Sequence, residues 1–234
     1  MSVEEEARLA AAAAEGIIAR AARDTLPEAE RLAVADGASA IRSGVGWSGV
    51  RYVGVSSPAE EAAYAAIRAN AGDVTAIAQN TGIQHRVLDQ VKTHLFLSEH
   101  DVVIGPNQVA HGLFVPDGSV AELWTKAEQG TLSAAEQNQF RWLISHEYVE
   151  SRLMEAGMPY RSPDPRAWSN GLALFDPAHV GAHEVAPLAS NGSLRLWQSI
   201  GLTPPATPVA PDLSNIDIVV DAARQGLQNL GFLP

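Results

Sequence analysis

Residues 143–154, Leu-Ile-Ser-His-Glu-Tyr-Val-Glu-Ser-Arg-Leu-Met, constrain this chain more than any other stretch. With the 3.6-residue period of a helix, positions 143, 146, 147, 150, 153 and 154 share one face. Leu143, Leu153 and Met154 commit that face to a core, yet His146, Glu147 and Glu150 lie on the same stripe. Burying two carboxylates and an imidazole without partners costs several kcal/mol. A fold containing this helix must supply compensation there: a metal ion, a cation of the chain, or a water-filled cleft.

The rest of the chain can build such a core. Its 234 residues are 46% hydrophobic and 18% charged, as in a globular protein. The absence of cysteine excludes disulfide scaffolds, thiolate zinc sites, iron–sulfur clusters and cysteine nucleophiles. A net charge of -11 opposes binding to phosphate backbones, and no basic cluster offsets it. No apolar run approaches the length of a membrane span, so no membrane partner is expected. The acidic start, Met1-Ser2-Val3-Glu4-Glu5-Glu6, has the wrong sign for a secretory leader. The expected location is cytoplasmic, or inside a larger secreted protein that delivers this chain.

The pattern predicts a mainly α fold, an irregular multi-helix domain with a few short strands. Three regions are expected: a helical N-terminal region over 1–72, a core domain over 73–200, and a proline-rich linker with a C-terminal helix over 201–234. Alanine-rich helices are predicted over 2–23 and 27–42, a loop over 44–49 and a strand over 50–55. Ser57-Pro58-Ala59-Glu60 reads as a capping box with proline at the first helical position. A helix pair broken at Thr81-Gly82 is expected over 73–96, and a loop with short strands over 98–118. Capping boxes at Ser119–Glu122 and Ser133–Glu136 open two more helices, the second carrying His146 and ending at Gly157. Short helices are expected within 176–184 and 193–200, and an amphipathic one over 215–230. Gly44-x-Gly46-x-x-Gly49 precedes a strand instead of following one, so it is not a dinucleotide fingerprint.

His146 and Glu150, at i and i+4, can grip one metal ion. Glu147 beside them matches the general base of H-E-x-x-H proteases, although the fifth position here is Glu instead of His. A buried ion-pair knot with Arg141 or Arg152 explains the same pattern. His179 and His183 are likewise four apart and could share a cation, although Gly181 between them weakens a helix. His94 and His100 flank Leu95-Phe96-Leu97. The candidate metal ligands are His146, Glu150, His183 and His179, with a divalent metal, zinc foremost, as cofactor. The candidate catalytic residues are Glu147, His94 and His100.

The segment 74–92 also has the layout of a helix-turn-helix, with Gln84, His85, Arg86 and Gln90 on its second helix. Asp89 and the acidic balance oppose nucleic acid as a partner, and an αα-corner fits equally.

Thr81-Gly82-Ile83, Val91-Lys92-x-His94-Leu95-Phe96, Glu99-His100, Ala121-x-x-Trp124, His146-Glu147-Tyr148-x-Glu150 and Gly181-Ala182-His183-Glu184 together resemble a C-terminal effector domain of bacterial polymorphic toxins. The resemblance covers residues 76–186. It implies one polar site built from His94, His100, His146, Glu147, Glu150 and His183, a toxin-type effector delivered by a larger secreted protein, and an immunity protein as partner. The leading expectation is thus a hydrolase-like effector enzyme, working either through a divalent metal or through a metal-free His/Glu acid–base cluster, on a substrate the sequence does not name. Its rivals are a nucleic-acid-binding or nuclease module using residues 73–96, and a non-enzymatic interaction protein.

Overall fold

In the computed structural model, residues 49–234 and the backbone of Gly44–Val45 are described. The helices expected over 2–23 and 27–42 lie outside these residues.

Local chemistry sets the helix starts. Helix α1 (Pro58–Ala69) begins on the reciprocal Ser57–Glu60 capping box, with proline in its first turn. Helix α2 (Asp73–Thr81) ends on Gly82, whose φ of 75° is the left-handed conformation glycine adopts at no steric cost. Helix α3 (His85–Lys92) runs directly into a π-helical turn, Thr93–Leu97, that carries His94. Helix α4 (Gly118–Gln129) is capped by Asp117, which accepts from the backbone of Ser119 and Val120. The cap is therefore two residues upstream of the Ser119 capping box expected from sequence, because an aspartate already meets the free N–H groups there. Helix α5 (Ala134–Glu155) starts on the Ser133–Glu136 box and, at 22 residues, is the longest described element.

Three two-stranded antiparallel sheets accompany these helices. Backbone strands β1 (Gly44–Val45) and β2 (Arg51–Tyr52) pair first. The first of them replaces part of the expected 44–49 loop. Strands β3 (His100–Gly105) and β4 (Gln108–Gly112) form a hairpin in register His100↔Gly112 and Val102↔Ala110. Asn107 turns it with a φ of 56°. Strands β5 (Trp168–Ser169) and β6 (Leu172–Ala173) form a small ribbon. Helices α6 (Ala182–Val185), α7 (Trp197–Ile200) and α8 (Asp217–Leu230) complete the chain. The fold is a mainly α, irregular multi-helix domain with a few short strands.

Helix α5 is central, packing against α3, α4, α6 and α8. Its Phe140, Ile144, Val149 and Leu153 are fully buried. Edge-on ring contacts continue the core, with Phe96 and Trp124 centroids 5.1 Å apart and Tyr64 and Phe96 4.7 Å apart. Ile216, Val219, Val220, Ala223 and Leu227 belong to that same buried cluster. The proline-rich stretch after Leu202 accordingly folds back instead of spacing α8 away. Asn215 fixes the return by accepting from Ala210 N–H and donating to the Pro208 carbonyl. A smaller cluster, including Val102, Ala110 and Tyr160, lies under the hairpin. Among the described residues, no helix is long and apolar enough to cross a membrane.

A second buried polar group lies in this core. Lys92 pairs with Asp73 at 2.6 Å, and the Trp124 indole donates to the other Asp73 oxygen at 2.9 Å. Each charge has a partner, which makes this a structural lock between α2, α3 and α4.

Candidate metal centre

Helix α5 presents the three side chains expected from its stripe. His146 and Glu150 are buried, and the Glu147 side chain is 13% exposed. Among the described residues, no cation of the chain balances them. Arg141 bonds Asn138, Arg152 pairs with Glu155, and no lysine or arginine among the described residues forms an ion pair with Glu147 or Glu150.

Imidazoles surround the Glu150 carboxylate instead. Oε1 lies 3.1 Å from His94 Nε2, while Oε2 lies 2.8 Å from His183 Nδ1 and 3.3 Å from His146 Nε2. His146 Nε2 and His183 Nδ1 are 3.2 Å apart. Glu147 approaches His94 Nε2 at 4.0 Å. Two groups, His146/Glu150/His183 and His94/Glu147/Glu150, are geometrically able to hold a metal ion, and they share Glu150.

His146 discriminates between hydrogen bonding and ligation. Its Nδ1 lies 2.8 Å from the Pro187 carbonyl oxygen, which can only accept, so Nδ1 carries a proton. In the neutral ring, Nε2 then holds a lone pair that faces a carboxylate oxygen. That gap requires either a second proton or a metal ion. Orientation of one ring nitrogen by a carbonyl while the other faces the ion is the usual outer support of a metal-bound histidine. The triangle edges of 2.8, 3.2 and 3.3 Å are also near those of a tetrahedral zinc site, whose bond lengths imply ligand–ligand separations of about 3.3 Å.

The electrostatics agree with a place suited to a cation. Burial would raise the Glu150 carboxyl, but hydrogen bonds from His146, His183 and His94 outweigh it and hold the group well below the usual carboxylate range. Burial would lower His146, but Glu150 and Glu147 push it up to about 9. Burial and then the Glu150 charge push Glu147 up to about 8. Without a cation, protons neutralise the cluster. A bound divalent ion reverses that logic and favours the ionised carboxylates.

The chain delivers these groups from separate segments. His183 sits on the single turn of α6, hung from the preceding loop by Ala182 N–H to Pro159 O and His183 N–H to Tyr160 O, at 2.9 and 3.1 Å. A Cβ on Gly181 would lie 2.4 Å from both Arg161 Cα and Tyr160 O, so only glycine fits that approach. Arg161 and Glu184 pair at 2.5 Å beside it.

His100 donates from Nε2 to the His94 carbonyl at 2.9 Å and stacks on Phe114 at 4.5 Å. Burial and the neighbouring His94 hold its pKa below the ordinary histidine value. His100 thus braces the His94 turn instead of facing Glu150. The cluster does not include His179, a ligand in the sequence reading. It bonds Asp176 at 2.8 Å and approaches Asp164 at 3.5 Å. The reason is local: the chain is extended at Gly181, and α6 starts only at Ala182, so His179 and His183 share no helix face.

A cavity of about 100 Å³ ends at Glu147, Glu150 and His183, and its walls are largely apolar. A larger groove of about 660 Å³ reaches His94 and His100 from another side. Sequence reasoning missed both, along with the Pro187 carbonyl. Tyr64 and Tyr160, which line the small cavity, carry no spacing signal.

Gln84 bonds Asp212, Arg86 bonds Tyr148 and Asp217, and Gln90 bonds Glu155, so the polar face of α3 is engaged within the fold.

No family model matches the chain, and no curated protein or solved structure does either.

Proposed function

We propose that this chain is a metal-dependent hydrolase whose ion is held by His146, Glu150 and His183. The observation that carries the reading is the placement of His146 Nε2, turned by the Pro187 bond to face Glu150 and His183. Three protein ligands leave a coordination position for water, as catalytic zinc sites do. The ion supplies Lewis acidity and lowers the pKa of that water. Glu147 follows His146 in the chain and lines the adjoining cavity, as a general base must. With the ion bound, Glu147 would take the proton of that water as the oxygen adds to an electrophilic carbon, and would return it to the departing nitrogen or oxygen. His94, 3.1 Å from the other Glu150 oxygen, holds the carboxylate in place. The toxin resemblance adds a role for such chemistry, a delivered effector checked by an immunity protein.

Metal analysis of the purified protein tests this directly. About one equivalent of zinc or another divalent transition metal is expected, lost in His183→Ala. A chain free of metal, with stability indifferent to chelator, overturns the proposal. Glu147→Gln separates catalysis from structure: the variant should keep its metal and fold while losing turnover.

A further inference from the structure

The small cavity beside the cluster narrows what the centre can act on. Its floor is Glu147, Glu150 and His183. Its walls are mostly apolar, Val53 beyond β2, Leu95 from the π-turn, Phe114 and Val115 after β4, and Val120 from α4, with one carboxylate among them, Asp117, which is engaged in capping α4. The rings of Tyr64 and Tyr160 close it. Burial raises the Tyr64 hydroxyl above the usual phenol range, so it stays protonated and adds no anion.

Size and polarity then decide. The space is about 100 Å³, whereas a cavity that holds benzene measures roughly 150 Å³. A flat six-membered ring or a nucleobase would be buried there only in part. A branched group of three or four carbons fits, and such walls favour it by burial alone.

Building on the metal-dependent reading, we infer that the cavity is a substrate subsite for a compact aliphatic group beside the scissile carbonyl. The substrate class is an amide, ester or peptide with a valine- or leucine-sized acyl side chain. The carbonyl carbon then lies at the cluster while the aliphatic group fills the cavity. Such a geometry places an acyl compound at the reacting centre.

The probes are acetohydroxamate, isobutyrohydroxamate and benzohydroxamate, titrated into the zinc-loaded full chain by calorimetry. Isobutyrohydroxamate should bind about tenfold tighter than acetohydroxamate, since it buries two further carbons. Benzohydroxamate should gain nothing over acetohydroxamate. Val120→Phe, which fills the space from the rim, should erase the isobutyryl advantage and leave acetohydroxamate binding intact. If that variant fails to fold, Val120→Leu should reduce the advantage, and the wild-type series still decides. Equal affinities along the series, or tightest binding of benzohydroxamate, overturn the inference. Absence of metal overturns the proposed function but not the cavity's size selection. Methyl NMR of the metal-free chain then decides that selection: isobutyramide should shift Val53 and Val120, and benzamide should not. The opposite pattern, or no shift with either, overturns the subsite.

Discussion

The Nδ1 of His146 donates to the Pro187 carbonyl oxygen across 2.8 Å, which commits Nε2 to face Glu150. Loss of an outer support of this kind costs about 10–100-fold in metal affinity, so loss of the ligand itself should cost more. His146→Ala is expected to weaken zinc binding by more than ~100-fold, read by competition with a chromogenic chelator.

Metal binding should also stabilise the fold, because His183 and Glu150 come from distant parts of the chain. With free zinc at 100 times its dissociation constant, the gain is about 2.7 kcal/mol. Thermal denaturation with and without chelator should show it, and Glu150→Gln should abolish the difference.

Gly181→Ala should damage the site without touching a ligand. The new Cβ would meet backbone at 2.4 Å on two sides, and backbone cannot give way as a side chain can. Overpacking of this kind costs about 1–3 kcal/mol. Urea denaturation should report that loss, and weaker metal binding should accompany it as α6 moves His183.

The Asp73–Lys92–Trp124 lock predicts a large effect far from the chemistry. Lys92→Met leaves Asp73 buried with only the indole as side-chain partner. Removing one member of a buried pair costs about 3–5 kcal/mol, so the urea midpoint should fall markedly.

His111 offers a titration free of the site. Hydrogen bonds to Asp101 and then Glu99 raise its pKa above 6.5. A raised folded value favours the protonated form. The stabilisation is therefore complete below about 6.5 and lost as pH climbs through the raised value. Proton NMR should find His111 titrating above an ordinary histidine, and Asp101→Asn should bring it down.

Much of this was legible from local rules. The capping boxes at Ser57 and Ser133 sit where the sequence puts them, because both partners of each box lie within four residues. The stripe through His146, Glu147 and Glu150 was readable for the same reason: helical period is local. What closes the site was not, because His94, His183 and Pro187 meet Glu150 and His146 only through tertiary packing. Spacing paired His179 with His183, but the extended backbone at Gly181 undoes that pairing. Periodicity likewise gave the apolar stripe of α8 but not its docking, since nothing in the prolines announces that the chain doubles back.

The π-helical turn at Thr93–Leu97 has an evolutionary corollary. A wide turn of this kind holds one residue more than an α-turn spans, and such bulges gather at functional sites. Excising one residue there would restore regular winding and swing the following side chains by roughly 100°. The aim of His94 at its carboxylate thus depends on the wide winding of this one turn.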